Sequence, residues 1–297
     1  ELMKGAYTIQ DREITSSLQQ FVAQPEVWNN FFVADGITGL EKQFVDKMRE
    51  WVTASKENTL TGLEDFPYGT MTHGTSEAFQ MFMMRHNDRN FKFFKGDFMM
   101  HKVAGNVMGN KWQWVLDANE VTADSAIIIS IPFSDFGTTH PQHIKLLERC
   151  SALNVPVLID CAYFGMCYDM DIDLNYSCIE EVTFSLGKTF PVIGSRCGVR
   201  FQRTEIDDAV TFANQHGIVN NFGALVGLHC IEQYTADFIA IKYRAVQQQV
   251  CDDLGVDTTN CILFATSSDN KYSEYNRGNG TTRLCISKQI QDEYERR

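Results

Sequence analysis

Between residues 155 and 160 the chain reads Val155-Pro156-Val157-Leu158-Ile159-Asp160, an unbroken apolar run closed by a carboxylate. A run without polar alternation is a strand covered on both faces, and such strands belong to parallel sheets flanked by helices. Asp160 then lies at the carboxyl end of a parallel strand, where open α/β sheets gather their ligand chemistry. A buried carboxylate there needs donors or a cation; a strand-end cap would also account for it. Short apolar strands are expected around 91–95, 126–131, 181–186 and 197–201, separated by helical stretches such as 141–153. That alternation predicts a doubly wound, mostly parallel sheet. Leu40, Phe44, Val45, Met48 and Val52 recur at helical spacing and predict a helix over 40–54. The stretch from Phe31 to Gly39 reads as a loop near a site entrance. A long helical region at 222–254 leads to a strand at 261–265, a strand around Arg283 and a charged terminal helix, the outline of a small α+β domain. The expected organisation is a large domain at 46–205 and a small one made of 1–45 with 206–297.

The stretch from Thr183 to Gly198 carries Ser185, Lys188 and Arg196 with glycines between them. A hydroxyl, an amine and a guanidinium at that spacing can surround a phosphorylated aldehyde, with Ser185 and Arg196 on the phosphate and Lys188 forming an imine. A surface lysine in a glycine-containing loop would also give a lone Ser-x-x-Lys. Upstream, Tyr163 follows Asp160 by three residues and could bond a phenolic ring oxygen, while a protonated pyridine nitrogen would be the cation that Asp160 requires.

Asp160-x-Ala162-Tyr163 followed by Ser185-x-x-Lys188 and Arg196 resembles the fold type I pyridoxal 5′-phosphate (PLP) enzymes, in particular the class I/II aminotransferase-like branch of the aspartate aminotransferase superfamily. The resemblance covers roughly residues 60–290. It implies the PLP-dependent transferase fold type I and further site residues in the same order along the chain. The phosphate turn would be Gly74-Thr75-Ser76, where glycine permits close backbone approach and the following amides open a helix. The ring-stacking aromatic would be Phe98. Where the family commonly has Asn-Pro-x-Asn-Pro-Thr-Gly, this chain has Ser130-Ile131-Pro132-Phe133-Ser134-Asp135-Phe136-Gly137, which puts Ser134 at the asparagine that bonds the ring oxygen. Arg283 matches the arginine that grips the substrate carboxylate, a task suited to its planar fork. The implied activity is amino-group transfer from an amino acid. Lyase, decarboxylase or oxygen-using oxidase chemistry uses the same constellation, and a non-catalytic PLP-binding regulatory protein is the remaining alternative. Members commonly share sites across a homodimer, with Tyr68 and Asn220-Asn221 as candidates for reaching into the partner.

Composition agrees. A chain of 297 residues, 44% hydrophobic, can bury a substantial core, and a formal net charge of −12 argues against nucleic acid as a partner. Nine cysteines lie scattered without a Cys-x-x-Cys pair or zinc-type histidine spacing and read as reduced thiols of a cytoplasmic protein. No apolar run reaches the ~18 residues of a membrane span, and no export signal opens the chain.

Overall fold

A computed structural model describes residues 2–29, 39–278 and 280–297. Most of the expected entrance loop, 31–38, falls outside the described residues. Helices α1 (Arg12–Val22), α2 (Pro25–Asn29) and α3 (Leu40–Thr53) precede strands β1 (Thr59–Thr61) and β2 (Tyr68–Thr72). The central part runs α4 (Thr75–Arg85), β3 (Asn90–Phe94), α5 (Met99–Met108), β4 (Trp112–Val115), β5 (Ser125–Ser130), α6 (His143–Leu153), β6 (Val157–Cys161), β7 (Asp171–Asp173), β8 (Ile179–Ser185) and β9 (Gly198–Gln202). The last part holds α7 (Ala209–Gln215), α8 (Asn221–Gln233), α9 (Phe238–Leu254), β10 (Asp257–Thr258), β11 (Phe264–Ser267), β12 (Thr282–Cys285) and α10 (Ser287–Arg296).

Seven strands form one sheet in the order β2-β9-β8-β6-β5-β3-β4. Only β9 runs against its two neighbours; the other pairings are parallel. Every residue of β5 and β6 is buried, which explains the unbroken apolar runs. Successive side chains still alternate between faces. Phe91, Phe93, Ala126, Ile128 and Leu158 meet Phe79, Phe82 and Ala104 of α4 and α5, whereas Ile127, Ile129, Val157 and Ile159 join the larger core that extends to Phe44 and Ile290. A second, antiparallel sheet has the order β10-β11-β12.

Two departures from the expected elements have local causes. The helical region at 222–254 breaks at Tyr234, whose backbone is extended at φ −128°, ψ 131°. Its carbonyl accepts from Trp51 Nε1 at 2.8 Å, a buried partner that replaces the helical one. The edge strands β2 and β4 are additional; partial exposure of their residues interrupts the apolar pattern that marks the central strands. Among the described residues, no helix is long and apolar enough to cross a membrane.

Candidate active site

The carboxyl ends of β5, β6 and β8 open on one pocket of about 340 Å³, closed on the other side by the first turns of α4 and α5. Thr75, Ser76, Phe98, Asp160, Tyr163, Ser185, Lys188 and Arg196 all line it. Residues separated by up to 121 positions are thus brought together by strand order alone.

Asp160, 2% exposed, forms the floor. Its Oδ1 accepts from the amide of Ala162 at 3.1 Å, and its Oδ2 stands 3.4 Å from both Thr75 Oγ1 and His101 Nε2. His101 is fully buried on α5 among Phe79, Phe93 and Phe98, and among the described residues its Nδ1 has no hydrogen-bond partner. Beside it, Asp97 accepts from the amides of Phe98 and Ser130, and burial pushes its carboxyl above the usual range. Sequence reasoning missed His101 and Asp97. The available signal was spacing: His101 is one helical turn past Phe98 and so shares its face.

At the opposite end, Gly74 caps α4 with φ +70°. Arg196 donates to the carbonyl of His73 at 2.9 Å and to Ser76 Oγ at 3.4 Å. A Cβ on Gly74 would come within 3.0 Å of the Arg196 guanidinium, and one on Gly198 within 2.8 Å of Gly74 Cα. Glycine at both positions therefore lets the turn close onto β9. Ser185 Oγ accepts from the amide of Gly187 at 3.3 Å, fixing the loop that carries Lys188.

Lys188 Nζ donates to the carbonyl of Ala6 at 2.9 Å. Burial lowers its pKa below that of an ordinary lysine, and the positive charges of Arg196 and Arg283 act in the same direction against Cys285. Burial raises the Tyr163 phenol, so it remains a donor at neutral pH.

Ser134 and Arg283 do not line this pocket. Ser134 is 2% exposed, and its hydroxyl lies 3.2 Å from Arg277 and 3.5 Å from Arg283. Arg283, on β12 and 3% exposed, donates to the carbonyls of Ser134 at 2.7 Å and Lys4 at 2.9 Å and stacks over Phe264 at 4.2 Å. Among the described residues it forms no ion pair, while Arg277 pairs with Asp135. Asn220 turns into its own chain, capping α8 and donating to the Ser195 carbonyl, whereas Tyr68 is 42% exposed.

Residues 109–255 match the aminotransferase class I and II family. The matched segment, just under half of the chain, is of the class I and II aminotransferase kind. This aminotransferase-like protein is therefore a PLP-dependent enzyme acting on an amino acid. Its fold is that of N-succinyldiaminopimelate aminotransferase from Mycobacterium tuberculosis, with a TM-score of 0.69 at 16% identity over 98% of this chain and 91% of that one. Histidinol-phosphate aminotransferase from Clostridium acetobutylicum gives 0.64 at 12% identity over 99% and 98%. A PLP-bound C-S lyase from Staphylococcus hominis gives 0.63 at 10% identity over 98% and 88%. No curated protein matches the sequence.

The pocket fits PLP by its donor set. A buried carboxylate at one end suits a pyridinium, Ser76, Ser185 and Arg196 around a glycine-lined turn at the other suit a phosphate, and the amine of Lys188 borders the space between.

Proposed function

We propose that the enzyme transfers the amino group of an amino acid, with Lys188 as the amine that would bond PLP, Asp160 as the partner of the ring nitrogen, and Arg283, buried on β12 outside the lining of the cofactor pocket, as the receptor for a substrate carboxylate that reaches beyond that pocket. The observation that carries this reading is the pairing of Asp160 and Lys188, at and just beyond the ends of neighbouring strands, on one pocket whose far rim holds Ser76 and Arg196. PLP, when bound, supplies the electron-withdrawing ring that loosens the bonds at Cα. Asp160 would keep the ring nitrogen protonated, and Thr75 and His101, each 3.4 Å from its Oδ2, hold the carboxylate in line. Gly74, Thr75 and Ser76 meet the phosphate with a helix start, and Ser185 and Arg196 complete its contacts. Phe98 and Tyr163 line the pocket, where Phe98 would cover the cofactor ring and Tyr163, kept protonated by burial, would offer its hydroxyl to the ring oxygen. Ser134 acts through Arg277 and Arg283, which its hydroxyl approaches, and not on the ring. Lys188 Nζ, with its lowered pKa, would be able to take and return a proton at the substrate Cα.

The enzyme works as a homodimer with adjoining sites. Met84, Val103 and Val107 on α4 and α5 are 56%, 40% and 82% exposed around an apolar groove, which shares Met100 with the PLP pocket. A second copy seated there would close the open side of the site. Nine free, buried cysteines favour the reducing cytoplasm.

The test is a screen of the PLP form against an amino-acid panel with product analysis. A keto acid without loss of carbon or release of peroxide supports transfer; carbon dioxide, peroxide or free ammonia points to decarboxylase, oxidase or lyase chemistry. Arg283→Ala should raise KM about 100-fold or more while leaving the resting absorbance of PLP unchanged, and Arg283→Lys should rescue poorly. Normal amino-acid binding by the Ala variant would remove Arg283 from the site.

A further inference from the structure

Cys167 and Cys261 stand opposite each other in an isolated antiparallel bridge that joins the turn after β6 to the approach to β11. The Ile262 amide donates to the Met166 carbonyl at 2.8 Å, and the Tyr168 amide to the Asn260 carbonyl at 3.0 Å. These backbone bonds flank the two cysteines and do not link them to each other, so the cysteines form a non-hydrogen-bonded pair. That is the closer of the two kinds of antiparallel pair, with Cα atoms about 4.5 Å apart in a regular ladder. A disulfide spans Cα separations of about 4.4–6.8 Å. Both side chains are shut away from solvent, and the Cys261 thiol lies near enough to Cys167 to add to burial in raising its pKa.

We propose that Cys167 and Cys261 are a redox site, whose thiols a small hydroperoxide converts into a disulfide that locks the turn carrying Tyr163 to the segment entering β11. One sulfur takes an oxygen from the hydroperoxide, whose O–O bond breaks and whose remainder leaves as alcohol or water. The other sulfur then displaces water from that sulfenic acid and forms the S–S bond. Overall each thiol gives up one proton and one electron, and the hydroperoxide is reduced.

Register singles this pair out. Cys150 and Cys178, and Cys197 and Cys230, are also close enough to influence each other's thiols, but among the described residues no backbone pairing sets either pair opposite. Access is gated. Tyr168 and Asn260, each next to one of the cysteines, line an open groove, and parting the hydrogen bond between them uncovers the thiols. Because burial holds both sulfurs protonated in the closed form, the reaction waits on that local opening and is slow. The pair therefore rests as thiols in a reducing compartment and records sustained oxidation. The link adjoins the candidate active site: Cys167 Sγ donates to the Tyr163 carbonyl at 3.1 Å, and the Tyr163 ring packs on Phe264 with centroids 5.4 Å apart. A disulfide sulfur has no proton to donate, but the Tyr163 carbonyl keeps the Met166 amide at 2.8 Å, so the turn persists while the bridge becomes covalent.

The test is peptide mapping of the wild-type protein after exposure to hydrogen peroxide, quenching with catalase, alkylation of the remaining thiols and digestion without reductant. A peptide pair joined through Cys167 and Cys261, lighter by two hydrogens and released by dithiothreitol, is the expected result. Cys261→Ala should abolish it and Cys150→Ala should leave it. Recovery of Cys167 and Cys261 as alkylated thiols, or a link from Cys167 to Cys161 instead, would overturn the proposal. Hydrogen exchange at the Tyr168 and Ile262 amides should be slower by about tenfold or more in the oxidised protein than in the same sample re-reduced with dithiothreitol, a comparison that keeps any oxidised methionines constant. Equal exchange rates would overturn the lock. Neither measurement requires PLP, so failure here leaves the reading of the cofactor pocket untouched.

Discussion

Asp160 Oδ2 lies 3.4 Å from His101 Nε2 at the floor of the pocket, with both side chains shut away from solvent. The two reach each other because β6 ends beneath the first turn of α5. Replacing Asp160 by Ala should leave a ring cation unpaired in a dry site, at a loss of about 3–5 kcal/mol in cofactor affinity or transition-state stabilisation. Replacing His101 by Gln, which removes one neighbour of the carboxylate, should cost about 1–2 kcal/mol. PLP titration and kcat/KM check both; near-normal turnover in Asp160→Ala would mean that another group holds the ring.

Gly198 and Gly74 touch backbone to backbone, and this contact sets the phosphate turn. A methyl group at position 198 would stand 2.8 Å from Gly74 Cα and from the Phe184 carbonyl. Gly198→Ala should therefore push the turn off β9 and destabilise the fold by about 1–3 kcal/mol, with weaker PLP binding. Gly194→Ala is the control, since nothing lies within 4 Å of its Cβ position. Urea midpoints and PLP affinities should change for the first variant and not for the second.

Acid should loosen the fold through His143. Burial holds its pKa down to about 4, with His140 acting in the same direction, against about 6.5 in an unfolded chain. As pH falls from 6.5 towards 4 the unfolded chain binds the proton first, so stability declines in that window and is unaffected above it. The full contribution is about 3 kcal/mol. Urea midpoints measured from pH 7 to 4.5 should fall for wild type, and His143→Gln should reduce the decline, with the remainder coming from His140, which burial also holds at about 4.

The central strands and the residues at their carboxyl ends were legible because a strand buried on both faces advertises itself as an apolar run, and the first polar residue after it marks the ligand end. Asp160 after Val157–Ile159 is such a case, whereas the strand before Ser185 carries Glu180, Glu181 and Thr183, and Ser185 and Lys188 were marked by their own spacing. The edge strands were not, since β4 reads Trp112-Gln113-Trp114-Val115 with partly exposed positions and no distinct period. The break at Tyr234 depends on Trp51, 183 positions away, which no local pattern contains. Spacing also could not reveal that Ser134 faces Arg277 and Arg283, because that follows from how β12 packs against the loop after β5. The contacts of Lys4 and Ala6 are backbone contacts and leave no mark on side-chain identity.

The most direct measurement of the account is the site of covalent attachment. The protein loaded with PLP should be yellow, and borohydride reduction followed by peptide mapping should find the pyridoxyl group on Lys188. Capture should also follow a pH profile whose midpoint lies below the ~10.4 of an ordinary lysine, because burial favours the neutral amine. A label on any other lysine, or no label, would contradict the assignment of Lys188 and the mechanism built on it.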